Sequence, residues 1–202
     1  MILRPDLATI VDRIGPGSRV LDIGCGDGDL MIALKDQHGV DARGLEIDAD
    51  KVATCVARGL SVMQGDADAD LGFYADGGFD YVVLSQTLQT TRRPDLVIDE
   101  MLRIGRRAFV SFTNFAHWRV RASLMLAGRM PVTRLLPMSW YETPNIHHVT
   151  VSDFRALLRR RGLVVDQEWF LSSSGCVAAR SANLLAESAV FLLSRHSAQP
   201  VE

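Results

Sequence analysis

Apolar positions along the chain follow two alternating rhythms. Short apolar runs that break into glycine or an acid read as strands, and longer stretches with apolar residues three and four apart read as helices. The first such run is Arg19–Ile23, which ends in Gly24-Cys25-Gly26-Asp27-Gly28. Over 29–38, Leu30, Ile32, Ala33 and Leu34 take helical spacing, and Gly39 stops the helix. The pattern then predicts a strand over 42–47 and a helix over 51–58 with Asp48 as N-cap and Gly59 as terminator. Strands follow over 60–63 and 79–84, the second apolar almost throughout, as a strand buried on both faces should be. Pro94 suits the first turn of a helix running to 103. A strand over 107–112, a helix from 150 to 161 stopped by Gly162, and strands over 163–171 and 189–193 complete the pass.

Seven strands with intervening helices predict a doubly wound α/β fold, a seven-stranded and mostly parallel sheet with helices on both faces. With 202 residues and no repeat or Ser/Gly linker, the chain reads as one domain, 1–202. The exception to the rhythm is 113–149, an insertion rich in aromatics, Arg, Pro and His and too long for an ordinary connection. It reads as a cover over something.

Charge and cysteine content narrow the class. The net charge of −2 supplies no cation excess for displacing phosphate counterions, so nucleic-acid binding is not expected. No stretch free of Asp, Glu, Lys and Arg exceeds 11 residues, so no membrane span is expected. An acid at Asp6 and the lack of an apolar core before a cleavage site argue against a signal peptide. Cys25, Cys55 and Cys176 are odd in number and distant in sequence, with no Cys-x-x-Cys pair. Reduced thiols and a cytoplasmic location are therefore expected.

Val20-Leu21-Asp22-Ile23-Gly24-Cys25-Gly26-Asp27-Gly28 is the strongest chemical signal. Glycine at alternate positions after a strand lets the backbone turn sharply and approach a ligand closely, and the following helix offers free N–H groups. Asp29 stands where the dinucleotide fingerprint needs its third glycine, which disfavours nicotinamide and flavin cofactors, and no Gly-Lys-Ser/Thr follows. Glu46 ends the second strand, 18 residues after Gly28, where an acid accepts from both ribose hydroxyls. Asp66 ends the third strand, where a carboxylate can accept from a purine amine. Singly, each acid is as readily a loop residue or helix cap; the ordered conjunction carries the reading.

Over residues 18–112 these motifs resemble the class I S-adenosylmethionine-dependent methyltransferases. The resemblance implies S-adenosylmethionine or S-adenosylhomocysteine as cofactor. Gly24, Cys25, Gly26 and Gly28 would shape the methionine pocket and Asp22 would orient the amino group. Glu46 would hold the ribose and Asp66 the adenine, and Ile47, Ala67, Ser85 and Gln86 would line the rest. Four further phrases narrow the match to nearly the whole chain: Phe79 through Gln89, Ser111 through Trp118, Gly128 through Val132, and Trp140 through His147. Together they resemble the methionine biosynthesis protein MetW family. That resemblance implies partnership with a homoserine O-acyltransferase, either acetyl- or succinyltransferase. Thr113 departs from the family's apparent proline, and the tail past Ser194 matches nothing.

No catalytic residue is assigned. His117, His147 and His148 are candidates for a general base, and Tyr141 or Trp118 could flank a sulfonium. The competing reading has them pack the insertion or form a protein–protein surface. His147-His148 lacks a carboxylate at ligand spacing, so no metal is expected. Arg119, Arg121, Arg129 and Arg134 either meet an acidic partner or stay hydrated. The alternative function is a methyltransferase acting on a small-molecule acceptor, and homodimerisation is left open.

Overall fold

In the computed structural model, residues 3–133 and 136–195 are described. Arg134 and the tail beyond 195, both invoked above, lie outside them. The elements run α1 (Pro5–Val11), β1 (Arg19–Ile23), α2 (Asp29–His38), β2 (Asp41–Glu46), α3 (Ala49–Ala57), β3 (Ser61–Gln64), β4 (Phe79–Ser85), α4 (Pro94–Ile104), β5 (Gly105–Thr113), α5 (Trp118–Ala127), α6 (Val151–Arg161), β6 (Val164–Ser172), β7 (Gly175–Cys176), α7 (Ala182–Leu185) and β8 (Ser188–Ser194). All strands join one sheet in the order β3-β2-β1-β4-β5-β8-β6-β7. The first five are parallel, whereas β8 runs antiparallel to β5 and β6 antiparallel to β8.

Strand alternation sorts the core onto the two faces of this sheet. Leu21, Ile23, Val82, Leu84, Val110, Phe112 and Phe191 point to one side, where Val97, Ile98 and Met101 of α4 and Phe154 and Leu158 of α6 cover them. Val20, Val83, Phe109, Val190 and Leu192 point to the other, against Leu7, Ile10 and Val11 of α1 and Leu30, Ala33 and Leu34 of α2. Both faces of β4 are therefore covered, which is why its sequence is an unbroken apolar run rather than an alternation. Asp48 caps α3 by accepting from Asp50 N (2.9 Å), and Thr150 caps α6 by accepting from Asp153 N.

Three features depart from the expected pattern. An eighth strand, β7, exists as a two-residue hairpin partner of Leu171 and Ser172, too short for any periodicity. Helix α1 is a single seven-residue piece. Helix α5 lies inside the insertion and buries only Val120, with Leu124, Met125 and Leu126 all exposed, so it shows no apolar stripe from which a helix could be read. Among the described residues no helix is long and apolar enough to cross a membrane.

Candidate functional site

The carboxyl ends of β1, β2 and β4 bring the predicted residues to one edge. After Ile23 the chain turns through Gly24 (φ 70°), Gly26 (φ 56°) and Gly28 (φ 81°), each left-handed, and Gly28 enters α2. The turn is pinned below by Gly24 N donating to Leu45 O at 2.7 Å and closed by Gly28 N donating to Cys25 O at 3.0 Å. A Cβ built on Gly28 would stand 2.2 Å from Leu60 Cδ1, whereas one on Gly26 meets nothing within 4 Å. The loop is thus packed at its back and open at its front.

Glu46 locks β2 to this loop. Its buried carboxylate accepts from Gly26 N (2.8 Å) and from Asp48 N (3.0 Å), one bond per oxygen. Each oxygen has a further lone pair, so two acceptor positions remain for hydroxyls. Ile47, just past the strand, is 63% exposed, an apolar surface that a flat ring could cover. Asp66 is partly buried; Oδ1 accepts from Asp68 N (2.9 Å) and Oδ2 from Arg92 Nη2 (3.3 Å). Ala67 packs on the core beside it. Asp22 is buried, and its carboxyl is pushed up to about 7, chiefly by desolvation, with Arg4 opposing and Glu46 reinforcing the shift.

Two predicted residues make contacts of their own within the protein. The Cys25 side chain faces away from the loop's open front: it fills the space left by the missing side chain of Gly44, beside Met31 and Cys55. Cys25 and Cys55, distant in sequence, thus lie together behind the loop, where Cys55 Sγ donates to Gly26 O at 3.1 Å. Burial pushes both thiols up, so they stay protonated. Ser85 spends its hydroxyl on a buried network with Asp6 and Arg4.

Beside this edge lies a cavity of about 610 Å³, walled by the ends of β4 and β5, by Arg4 and Asp6, and by the insertion through Phe115, Met130, Trp140 and His148. The insertion thus supplies much of the cavity's wall. Of the three histidines only His148 lines the cavity, edge-on to Phe115 at 4.7 Å. His117 is buried and N-caps α5, its Nδ1 accepting from Arg119 N; burial lowers its pKa and keeps it neutral. Trp118 and Tyr141 are exposed rather than in the cavity wall. Among the described residues no three His, Cys, Asp or Glu side chains are placed to share a metal ion.

Sequence reasoning named Gln86 as lining but missed its backbone conformation, and it missed Gln89 and the Asn114 hub altogether. Gln86 holds φ at +56°, the one left-handed non-glycine residue among those described, and its Oε1 accepts from Thr113 Oγ1 (3.0 Å) and Gln89 Nε2 (3.2 Å). Such backbone strain clusters at ligand sites. Gln89 Oε1 is buried without a partner among the described residues. Asn114, fully buried, ties α7 to the insertion: Nδ2 reaches Ala182 O, Asn183 O and Ala186 O, and Oδ1 accepts from Ala116 N. No periodicity signals a polar hub of this kind.

A family model described as Methionine biosynthesis protein MetW matches residues 4–193. A bifunctional methionine biosynthesis protein MetXA/MetW of Rhodopirellula baltica is 35% identical over 83% of this chain, which spans 28% of that relative. A ubiquinone biosynthesis O-methyltransferase of Xylella fastidiosa is 32% identical over 73% of this chain and 61% of its own length. Among solved structures, an S-adenosylmethionine-dependent methyltransferase of Archaeoglobus fulgidus superposes with a TM-score of 0.69 at 15% identity, covering 94% of this chain and 91% of that one. At that identity the likeness shows the fold alone.

Proposed function

The chain belongs to the methionine biosynthesis protein MetW family, and on that premise we propose that it binds S-adenosylmethionine or S-adenosylhomocysteine and acts as a partner of homoserine O-acyltransferase. One observation carries the partner role: the Rhodopirellula relative holds MetXA and MetW in a single polypeptide. Fusion keeps two modules at high effective concentration, an arrangement that favours modules working in contact. The proposed unit is the whole chain, 1–202, with 113–149 as the contact insertion.

The residues at the edge fit the cofactor. Open space in front of Gly26, spare acceptors on buried Glu46 and the uncovered Ile47 suit a ribose and an adenine lying along the ends of β1 and β2. Asp66 stands where an exocyclic amine would come, provided Arg92 yields one oxygen. A sulfonium cofactor would supply an electrophilic methyl group; the chain's own residues bind and orient it.

Exposed apolar side chains support the contact surface. Met125 and Leu126 are each 81% exposed and Trp140 76%, with Tyr141 and Val132 also outside. Large apolar groups held in water at this density mark interaction sites, and Trp and Tyr are favoured at interface centres. The test is an acyltransferase assay with and without this chain, at zero and saturating S-adenosylmethionine. Stimulation with co-migration is expected; neither would sink the partner role. A change of rate with cofactor would mean that the ligand binds free and complexed chain differently, the condition for feedback.

The cavity at the ends of β4 and β5 favours a second reading, methyl transfer to a small acceptor. His148 in its wall is the placed candidate for a base. Transfer of label from methyl-labelled cofactor, lost in Glu46→Ala, is its test.

A further inference from the structure

Glu187 lies between α7 and β8, outside every motif discussed above, and its side chain lines the 610 Å³ cavity. Its backbone is fixed on both sides: Glu187 N donates to Leu171 O (2.8 Å), and Glu187 O accepts from Asn114 N (2.9 Å). The half-buried carboxylate accepts one hydrogen bond, from Ser173 Oγ to Oε1 at 3.1 Å, and Ser173 lines the same wall. Among the described residues no cation pairs with it. A carboxylate has about four acceptor positions, so most of this one's capacity is unspent.

The charges around it do not compensate. Three other ionisable side chains among the described residues line the cavity: Arg4, Asp6 and His148. Arg4 and Asp6 cancel one another, with Arg4 Nε 3.3 Å from Asp6 Oδ1, and Asp6 also accepts from Ser85 Oγ (2.9 Å) and Ser111 Oγ (2.8 Å). A histidine gains charge only in acid, so above neutrality His148 adds none. His117 is close enough to feel the Glu187 charge, but burial keeps its ring neutral. Glu187 is therefore the uncompensated charge of a wall otherwise made largely of apolar groups.

The rest of the wall sets the shape of what can pair with it. Phe115 and Leu136 are buried, and Met130 and Trp140 extend the same apolar surface. The volume falls within the range of about 300–1,000 Å³ usual for small-molecule sites. Apolar walls favour a compact hydrophobic body, and aromatic faces also attract a cation. An organic anion would meet Glu187 as a like charge, and a neutral body would leave the carboxylate unpaired.

We propose that this cavity binds an organic ammonium ion carried on an apolar body, with Glu187 taking the ammonium and Phe115, Met130 and Trp140 the body. The site requires neither a bound cofactor nor methyl transfer, so it stands apart from both readings of function. Ser173 is a positioning residue that holds the Glu187 carboxylate.

The experiment is calorimetric titration of the full chain, without cofactor, using three probes on one indole ring: tryptamine, tryptophol and indolepropionate. It is run at about pH 8, where imidazoles are neutral and aliphatic amines charged. Tryptamine should bind saturably, tryptophol at least tenfold more weakly, and indolepropionate more weakly still. Glu187→Gln keeps an acceptor for Ser173 and should bring tryptamine down to the affinity of tryptophol while leaving tryptophol unchanged. Met130→Trp, which fills the cavity, should weaken both. Each variant is checked by thermal melting. Absence of saturable tryptamine binding, equal affinity for amine and alcohol, or a preference for the amine that survives Glu187→Gln overturns the proposal. So does indolepropionate binding as tightly as tryptamine, or tryptamine binding left intact by Met130→Trp.

Discussion

Alanine at Gly26 and at Gly28 should separate the two sides of the glycine loop. Both residues hold left-handed φ, 56° and 81°, so a Cβ at either costs about 1–2 kcal/mol in backbone strain alone. Beyond that the sites diverge. At Gly28 the added methyl would stand 2.2 Å from Leu60 Cδ1 and 3.1 Å from Cys55 Sγ, behind the loop. Relieving that contact inside packed apolar surroundings adds about 1–3 kcal/mol. At Gly26 the methyl meets no protein atom within 4 Å and projects into the space assigned to the cofactor. A domain of this size loses roughly 2–4 °C in Tm per kcal/mol, so Gly28→Ala should melt roughly 2–12 °C below Gly26→Ala. Cofactor affinity should rank the other way, with Gly26→Ala losing at least tenfold while still folded. Differential scanning calorimetry and binding calorimetry on both variants decide the matter. Equal melting temperatures would refute the packing argument, and parent-like affinity in Gly26→Ala would refute the loop's open front as the ligand face.

The Asp22 carboxyl is raised from 3.8 to about 7 by burial. The folded state therefore holds a proton that the unfolded chain gives up, so this group's contribution to stability is complete below about pH 4 and is lost as pH rises through 7. Asp22→Asn should accordingly gain stability relative to the parent between pH 4 and 8, read from paired melts; a pH-independent difference would contradict the shift. Asn114→Ala removes a donor to three carbonyls, of which Ala182 O keeps its bond from Ala186 N, and the acceptor of the Ala116 and Val151 N–H groups; each buried group left unsatisfied costs about 1–3 kcal/mol. Allowing for partial relaxation, a loss of about 2–4 kcal/mol is expected in denaturant melts, and a near-neutral result would mean that the hub is dispensable. Leu126→Asp, on a side chain 81% exposed, should change stability by no more than about 0.5 kcal/mol, as surface substitutions do, while abolishing co-migration with the acyltransferase. Unaltered co-migration would move the contact surface away from α5.

Local pattern carried much of this protein by itself. The core strands of a mostly parallel sheet and the helices packed on it were legible because apolar runs and helical spacing report burial directly, and burial is what the sheet's two covered faces demand. The glycine loop followed by Glu46 and Asp66 was legible because each lies at or just past the end of a strand, and strand ends in an open α/β sheet converge on one edge. Tertiary structure alone decided the rest, since it depends on contacts between residues far apart in sequence. Cys25 and Cys55 meet only because α3 packs under the turn after β1. Arg4 and Asp6 reach Ser85 and Ser111 only because α1 lies across β4 and β5. Helix α5 and the hub at Asn114 leave no trace in hydropathy, because one buries almost nothing and the other is a single polar side chain satisfied by distant carbonyls. Apolar burial repeats along the chain and can be read there; a polar network is satisfied across it and has no period.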